Sequence, residues 1–443
     1  MAVDFVTNWN NYPLEKSSIQ FPVFSSDFDL ILNTWAPFIP RGNGRCYGDA
    51  SLAPSIVSTL KFNRILSLNE VTGVFVCQSG LLLSDILEFI MPRGWFLPVT
   101  PGTKFITVGG AVASDVHGKN HHSEGSFSQH VLYLKVLTPK GEIIMCSSSE
   151  NTEFFEFTCG GMGLTGLILE VAFTLKKIET GYIKQVQIKA LDLDAALNLF
   201  EEYSHYTYSM AWIDCLKTGK HFGRSILIAG EHASISDLKD EKKLFPKKIP
   251  TLSVPFDFPS FVLNSWSVRA FNALYYAKNY KNEMHSITSY QGFFYPLDSI
   301  LHWNRIYGSR GFVQYQFVVP LENGRSGIRD ILKRINDKGL GSFLAVLKLF
   351  GKQEGIISFH REGYTLALDI PIDSKLFDFL DELDKVVRDY GGRIYLTKDA
   401  RMKAEIYHST YPNADKFTAF LSKLIPIKYL CLHLQSVFLL NKI

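Results

Sequence analysis

Between Thr100 and Ser126 the chain reads TPGTKFITVGGAVASDVHGKNHHSEGS, a run of small residues followed by His117, Lys119, His121 and His122. Imidazoles at i and i+4 can share one face of a helix and hold a metal. Gly118 and Asn120 argue against a helix here, and no carboxylate follows at ligand spacing, so no metal is expected. His121 and His122 also fit satisfied polar groups of a loop. A second segment, IPRGNGRCYGDASL (39–52), sets Gly42, Gly44 and Gly48 around Arg41 and Arg45. Glycines let backbone N–H groups converge on an anion, which suits a diphosphate. A glycine-rich surface turn has the same composition. In CGGMGLTGLILEV, Gly161, Gly163 and Gly166 spell G-x-G-x-x-G, yet a dinucleotide site needs a helix after the last glycine. Alternating, β-branched residues follow instead, which predicts a tight turn between sheet elements. Lys348, inside the apolar run LAVLKLFG, is costly unless it meets a partner or a cavity. Lys398 follows the strand-like RIYLT.

These groups need a scaffold to bring them together. GVFVCQSG reads as a strand, and LLLSDILEFIMPRGW as a helix with Leu83, Ile86 and Ile90 on one face, closed by Pro92 and Gly94. HVLYLKVLTPKGEII alternates into a turn at Pro139–Gly141, as a hairpin does, and GLILEVAFTLKKI (166–178) is a further strand. From about residue 180 the pattern changes. GFVQYQFVVP places Gln314 and Gln316 on one face. Helical spacing at Ile328, Ile331, Leu332 and Ile335 follows, then strands SFLAVLKLFG and YTLALDIPI, helix SKLFDFLDELDKVVRDYGG and strand RIYLTKD. This is β-α-β-β-α-β, a sheet with helices on one face. Polar groups on its other face, Gln316, Lys348, Thr365, Asp369 and Tyr395 among them, are candidates for chemistry.

Composition narrows the class. A chain of 443 residues, 46% hydrophobic and 14% aromatic, buries a large core and is long enough for two domains. The net charge of +3 is the small difference between 46 basic and 43 acidic residues, so no nucleic-acid partner is expected. Six scattered cysteines without a C-x-x-C pair predict reduced thiols. The first residues, MAVDFVTNWNNYPLEKSS, carry neither a basic nor an apolar signal region, so a cytoplasmic location is expected.

Taken in order and spacing, PRGNGRCYGDA, PGTKFITVGGAVASDVHGKNHHSEGSF and CGGMGLTGLILEVAFTL resemble the FAD-binding domain of vanillyl-alcohol-oxidase-type flavoproteins. The likeness continues through YSMAWIDCL, FNALYYAK, GFVQYQFVVP, SFLAVLKLFG, YTLALDIPI and GGRIYLTKDARMKAE, and so covers almost the whole chain. It implies an α+β, two-domain flavoprotein: an FAD-binding domain over 1–178, a cap of antiparallel sheet covered by helices over 179–400, and a segment 401–443 packing back on the first domain. It implies that Arg41, Gly42, Asn43, Gly44, Arg45, Cys46, Tyr47 and Gly48 wrap the FAD diphosphate. Pro101, Gly102 and Thr103, then Val108, Gly109, Gly110, Ala111, Ala113 and Ser114, would run along the cofactor, joined by His117, Gly118, Asn120, His121, Gly163, Gly166 and Ile168. Catalysis would fall to Lys398, Lys348 and His117, and substrate contacts to Lys119, Gln314, Gln316, Thr365, Asp369 and Tyr395.

The same resemblance implies hydride transfer from a sugar's secondary alcohol, expected to be the 2'-hydroxyl of a polyprenyl-phosphate-linked pentose. An NAD(P)-dependent reductase would then complete an epimerisation. Aldonolactone or alditol oxidation of a free sugar, and a non-catalytic binding protein, are the alternatives. Relatives that tether FAD covalently often present histidine where Arg45 stands, so a non-covalent flavin is expected. Some relatives have cysteine at Ala367, which bears on pocket shape. The basic and aromatic stretch 239–266 suits an irregular loop or a lipid headgroup surface, hence a peripheral contact with the inner face of a membrane. The C-terminal LSKLIPIKYLCLHLQSVFLLNKI is too interrupted by Lys423, Pro426, Lys428 and His433 to span a bilayer, and suits an amphipathic helix.

Overall fold

The computed structural model describes residues 3–24, 26–28, 38–240, 244–247, 251–259, 261–353 and 355–424. The chain folds as an α+β protein whose two halves are each built mostly on antiparallel sheet. The first half opens with β1 (Val3–Thr7), β2 (Leu14–Gln20), β3 (Ile39–Arg41) and β4 (Ser55–Ser58), ordered β1-β2-β4-β3. A five-stranded antiparallel sheet follows, built from β5 (Ile65–Leu68), β6 (Val74–Gln78), β7 (Val131–Leu137), β8 (Ile143–Cys146) and β9 (Leu167–Thr174) in the order β5-β6-β9-β7-β8. Strands β7 and β8 form the expected hairpin, its turn closed by Gly141 N–H donating to Thr138 O at 3.0 Å. Helix α1 (Leu83–Ile90) buries Leu83, Ile86 and Ile90 and ends where Gly94 turns left-handed at φ 76°.

The G-x-G-x-x-G run resolves as predicted into a turn feeding a strand. Gly166 has φ 139°, and a Cβ there would run into the backbone carbonyl of Leu137 on the neighbouring strand. Only glycine lets β9 enter so close to β7. The TVGGAVA stretch differs from an extended path. Val108–Ala113 is a short helix, α2, whose Thr107 side chain accepts the Gly110 N–H at 3.2 Å. Two glycines disfavour a helix by about 1 kcal/mol each. The N-cap and the complete burial of Val108, Ala111 and Val112 override that propensity.

The second half is one eight-stranded antiparallel sheet made of β10 (Tyr182–Ala190), β11 (Tyr208–Ile213), β12 (Ser225–His232), β13 (Glu283–Ser289), β14 (Phe312–Pro320), β15 (Ala345–Phe350), β16 (Gly363–Pro371) and β17 (Arg393–Ile394). Its order is β13-β10-β12-β11-β15-β16-β14-β17. Helices α4 (Leu193–Glu202), α6 (Leu321–Asp337) and α7 (Leu376–Asp389) cover one face, with α5 (Ser265–Lys278) at one side; α3 is Thr152–Thr158. The period-2 alternation explains the layering. Tyr315, Phe317 and Val319 point into the helical core beside Ile328, Ile331, Leu332 and Ile335. Gln314, Gln316 and Val318 face the first half. The predicted strand RIYLTKD shrinks to Arg393–Ile394, because the chain turns into a 3-10 helix over Leu396–Lys398. Helices α8 (Ala404–Thr410) and α9 (Ala414–Leu424) return to the first half, where Phe417 and Phe420 pack on Phe157 at 5.4 and 4.6 Å between ring centroids. The amphipathic stretch expected beyond Leu424 lies outside the described residues. Among the described residues no helix is long and apolar enough to cross a membrane.

Candidate active site

A cavity of about 380 Å³ lies where the glycine segments meet the open face of the large sheet. That is the size of a small-molecule or cofactor site. Arg41, Gly42, Asn43, Gly44, Arg45, Cys46 and Tyr47 line one end, and Pro101, Gly102, Thr103, Gly109, Gly110, Ala113 and Ser114 line the wall between. Gly163, Gly166 and Ile168 close that wall, and Gly118 sits beside His117. From the sheet come Gln314, Gln316, Lys348, Thr365, Ala367, Tyr395 and Lys398, with Lys119 opposite.

Backbone pairing explains how the two halves meet. Tyr47 and Asp49 donate their N–H groups to the carbonyls of Thr397 and Asp399, each at 3.2 Å, so the first glycine loop is strapped to the turn carrying Lys398. The Lys398 ammonium consequently lies 3.8 Å above the Tyr47 ring. Gly44 turns the loop with φ 59°. The two arginines divide their work. Arg41 anchors the loop to β1, its guanidinium donating to Asn8 Oδ1 at 2.6 Å and Thr7 O at 2.7 Å. Arg45 stacks 4.0 Å over Trp9.

Six predicted residues lie outside the cavity lining. Gly48 presses against the Asp399 carbonyl, where a Cβ would not fit. Val108 and Ala111 sit on the inner side of α2 in the core. Asn120 donates to Pro98 O at 2.8 Å. His121 is turned inward by the one-turn helix His121–Glu124, stacking on His360 at 4.5 Å and lying 4.3 Å from the Phe350 ring. Asp369 has the right face parity, but Tyr307 and Gln314 cover it, with Gln314 Nε2 donating at 2.5 Å, and it borders a separate smaller cavity.

The charges inside the cavity are unusual. Burial pushes the ammonium of Lys119 down to about 7, helped by Lys348, and that of Lys348 to about 8. Burial also brings Lys398 to about 7, against the pull of Asp369 and Cys46, while Lys348 adds to the fall. Among the described residues none of the three has a carboxylate within 4.0 Å; Lys119 donates instead to Phe293 O at 2.5 Å. Lys348 and Lys398 retain some surface, but it is surface of the cavity wall. Burial raises Asp369 to about 7. His117 is held well below its ordinary value by burial, then by the positive neighbours Lys348, His360, His121 and Lys398. Desolvation disfavours each charged form.

Several lining residues escape sequence reasoning. Trp9, Ser79, Met210, Asp298 and Trp303 contribute walls from distant segments. Asp298 accepts the Lys104 N–H at 2.9 Å, fixing the loop after Gly102. Only tertiary structure joins these segments. Asp115 was in view two residues before His117, and what it meets, His360, lies 245 residues away in sequence order.

FAD fits this lining. Ser79 Oγ is buried and lacks a hydrogen-bond partner, the three lysines have no carboxylate within 4.0 Å among the described residues, and a Cβ on Gly102 would meet nothing within 4 Å. Together with the fold, such a cavity defines an FAD-dependent oxidoreductase acting on CH–OH groups. Comparison with known proteins agrees: residues 31–147 match the family model described as FAD binding domain. The chain is 36% identical over 390 residues to decaprenylphosphoryl-β-D-ribose oxidase of Mycolicibacterium smegmatis, covering 86% of this chain and 84% of that one. An uncharacterised protein of Streptomyces coelicolor is 30% identical over 347 residues, 76% of this chain and 94% of its own. Bovine L-gulonolactone oxidase is 31% identical, but over only 113 residues, 25% of each chain. The chain belongs to the decaprenylphosphoryl-β-D-ribose oxidase family.

Proposed function

We propose that the chain oxidises the 2'-hydroxyl of a polyprenyl-phosphate-linked pentose to a ketone. The observation that carries this reading is the convergence of three buried, carboxylate-free lysines with His117 at one end of a flavin-sized cavity. A bound FAD supplies the two-electron acceptor for the carbinol hydride. Gly42 to Tyr47, Pro101 to Thr103, and Gly109, Gly110, Ala113 and Ser114 hold it without a covalent link. Lys348 and Lys398 place positive charge at the substrate oxygens, Gln314, Gln316 and Thr365 orient the sugar, and His117 receives the hydroxyl proton. Lys119 completes the charge that attracts a phosphate. The gulonolactone oxidase likeness spans a quarter of the chain, so it supports a shared flavin domain rather than a free-sugar substrate.

The domain limits 1–178, 179–400 and 401–443 are part of the proposal; they are supported by the change of sheet after Lys177 and by the packing of Phe417 and Phe420 on α3. A lipid-linked substrate calls for a protein that visits a membrane's inner face. Support comes from Trp266 and Leu274 of α5, 81% and 74% exposed, and from the exposed Phe256 and Phe261 of the preceding stretch. Leu252, itself exposed, pairs with Ile300, and Ile300 and Leu301 line the cavity, so an apolar residue of the 239–266 stretch adjoins the lining. The 2'-ketone product would pass to an NAD(P)-dependent reductase that completes the epimerisation. The test is anaerobic flavin reduction by free sugars and by prenyl-phosphate-linked sugars. Bleaching by free polyols alone would overturn the substrate class.

A further inference from the structure

Behind the cavity, a chain of hydrogen bonds runs inward from Gln316, and its direction follows from one fixed end. Thr365 Oγ1 has a single proton, which it donates to Phe317 O at 2.8 Å. Toward Gln316 it can therefore only accept, so the Gln316 atom 3.3 Å away is the amide nitrogen. The same NH₂ group lies 3.1 Å from His117 Nε2, which must then be the bare, accepting nitrogen. The neutral ring carries its proton on Nδ1 and donates it over 2.9 Å to His360 Nε2. His360 is thereby protonated at Nδ1, which faces Ser358 Oγ at 3.1 Å and Asp115 Oδ2 at 3.6 Å.

The end of the chain is built to stay negative. The His360 side chain is fully buried and that of Asp115 is 5% exposed. Asp115 accepts the Ser128 N–H at 3.0 Å and Gln353 Nε2 at 3.2 Å. Burial works against the carboxylate, but hydrogen bonds from His360, Ser126 and Ser128 outweigh it and hold Asp115 below its ordinary value. Asp115 adopts φ 40°, a left-handed conformation that aspartate tolerates better than most residues. His117, by contrast, is surrounded by Lys348, Lys398, His121 and His360, all of which oppose a positive ring.

We propose that His360 and Asp115 are positioning residues of the oxidation: they fix the tautomer that turns His117 Nε2 bare toward the pocket, and they take up the charge formed there. The inference rests on the reading of this pocket as the alcohol site. In the substrate complex the 2'-hydroxyl replaces the Gln316 amide at Nε2. Its O–H bond breaks and the proton forms an N–H bond at Nε2. The oxygen's electron pair becomes the second C–O bond of the ketone, while the C–H pair leaves as hydride to bound FAD. The Nδ1 proton shifts toward His360 and the His360 proton toward Asp115, so positive charge moves away from the lysines and onto the carboxylate.

The test uses FAD-loaded protein with isotope-labelled histidine, and decaprenylphosphoryl-β-D-ribose as the reductant. Nitrogen NMR is expected to find His117 protonated at Nδ1. In Asp115→Asn the amide oxygen stays on the fixed Ser128 N–H, which turns the NH₂ toward His360 Nδ1 at the expense of the Gln353 hydrogen bond, reverses both rings and puts a proton on His117 Nε2. Flavin reduction then slows roughly 10²–10⁴-fold, the range set by losing general-base catalysis, and the acid limb of its pH profile moves to lower pH because a stabilising negative charge is gone. An unchanged tautomer, rate and acid limb in that variant would overturn the relay while a slow His117→Gln left the pocket reading standing. Wild-type reduction by His117→Gln would bring down both. Should Asp115→Asn fail to retain FAD, the wild-type spectrum decides alone, since a proton on His117 Nε2 contradicts the chain.

Discussion

If the three buried lysines await the substrate's phosphate, binding must draw protons from solution. At pH 8, with Lys119 and Lys398 at about 7 and Lys348 at about 8, roughly a tenth, a tenth and a half of each is protonated, about 0.7 charges in all. An anion that returns two or three of them toward their ordinary value of about 10.5 takes up about one to two protons. The other groups of the cavity contribute little at this pH. Asp369, at about 7, is already mostly ionised, and His117 stays neutral on both sides of the binding step. Calorimetric titration of the FAD-loaded protein with a short-chain prenyl phosphate, in buffers of different ionisation enthalpy, reads the uptake directly. It should fall with pH and turn into a small release by about pH 6, where the ammonium groups are protonated before binding and the phosphate monoester gives up its second proton to bind as the dianion. Binding at pH 8 with no dependence on buffer would refute the assignment of the lysines to an anion.

The same lysines make the FAD-free protein more stable as pH rises from about 7 to about 8.5, because over that window the unfolded chain keeps lysine protons that the fold has lost; a melting temperature that falls over this window would contradict their burial. Lys398→Ala should keep its flavin but slow reduction at least roughly tenfold, as expected when a charge beside developing negative oxygen is lost; wild-type reduction kinetics would remove Lys398 from the chemistry. Gly44→Val forces a β-branched residue to φ 59° and drives its Cβ into the Arg41 guanidinium. Strain of about 1–3 kcal/mol should appear as weaker retention of flavin, read as absorbance per protein after gel filtration. Flavin should leave wholly on acid precipitation, since Arg45 offers no nucleophile; yellow pellets would reverse the non-covalent assignment. Replacing Trp266 and Leu274 by serine should weaken co-sedimentation with anionic liposomes while FAD remains bound, and equal sedimentation would dissociate α5 from any membrane contact.

What the sequence disclosed, it disclosed where a residue's own physics is demanding. Lys348 in an apolar strand needs a cavity whatever the fold, and the cavity is there. Gln314 and Gln316 share a face because strands alternate, and Gly166 precedes a strand because the residues after it are strand formers. Where packing decides, local reasoning stopped short. α2 forms against the propensity of two glycines because its other face is core. Asp369 has the correct parity, yet parity cannot reveal that Tyr307, some sixty residues earlier, covers it. Histidines 117 and 121 look alike in HGKNHH, and the one-turn helix that begins at His121 sends it away from the cavity and onto His360. That displacement also has a consequence for function. Because His121 packs behind His117 and not beside it, the rings of Phe350, Phe359 and Tyr395 can surround His117 and leave His360 as its hydrogen-bonded neighbour on the inner side. On the proposed mechanism the motif supplies the base, and the tertiary fold supplies the partner that sets which nitrogen faces the substrate.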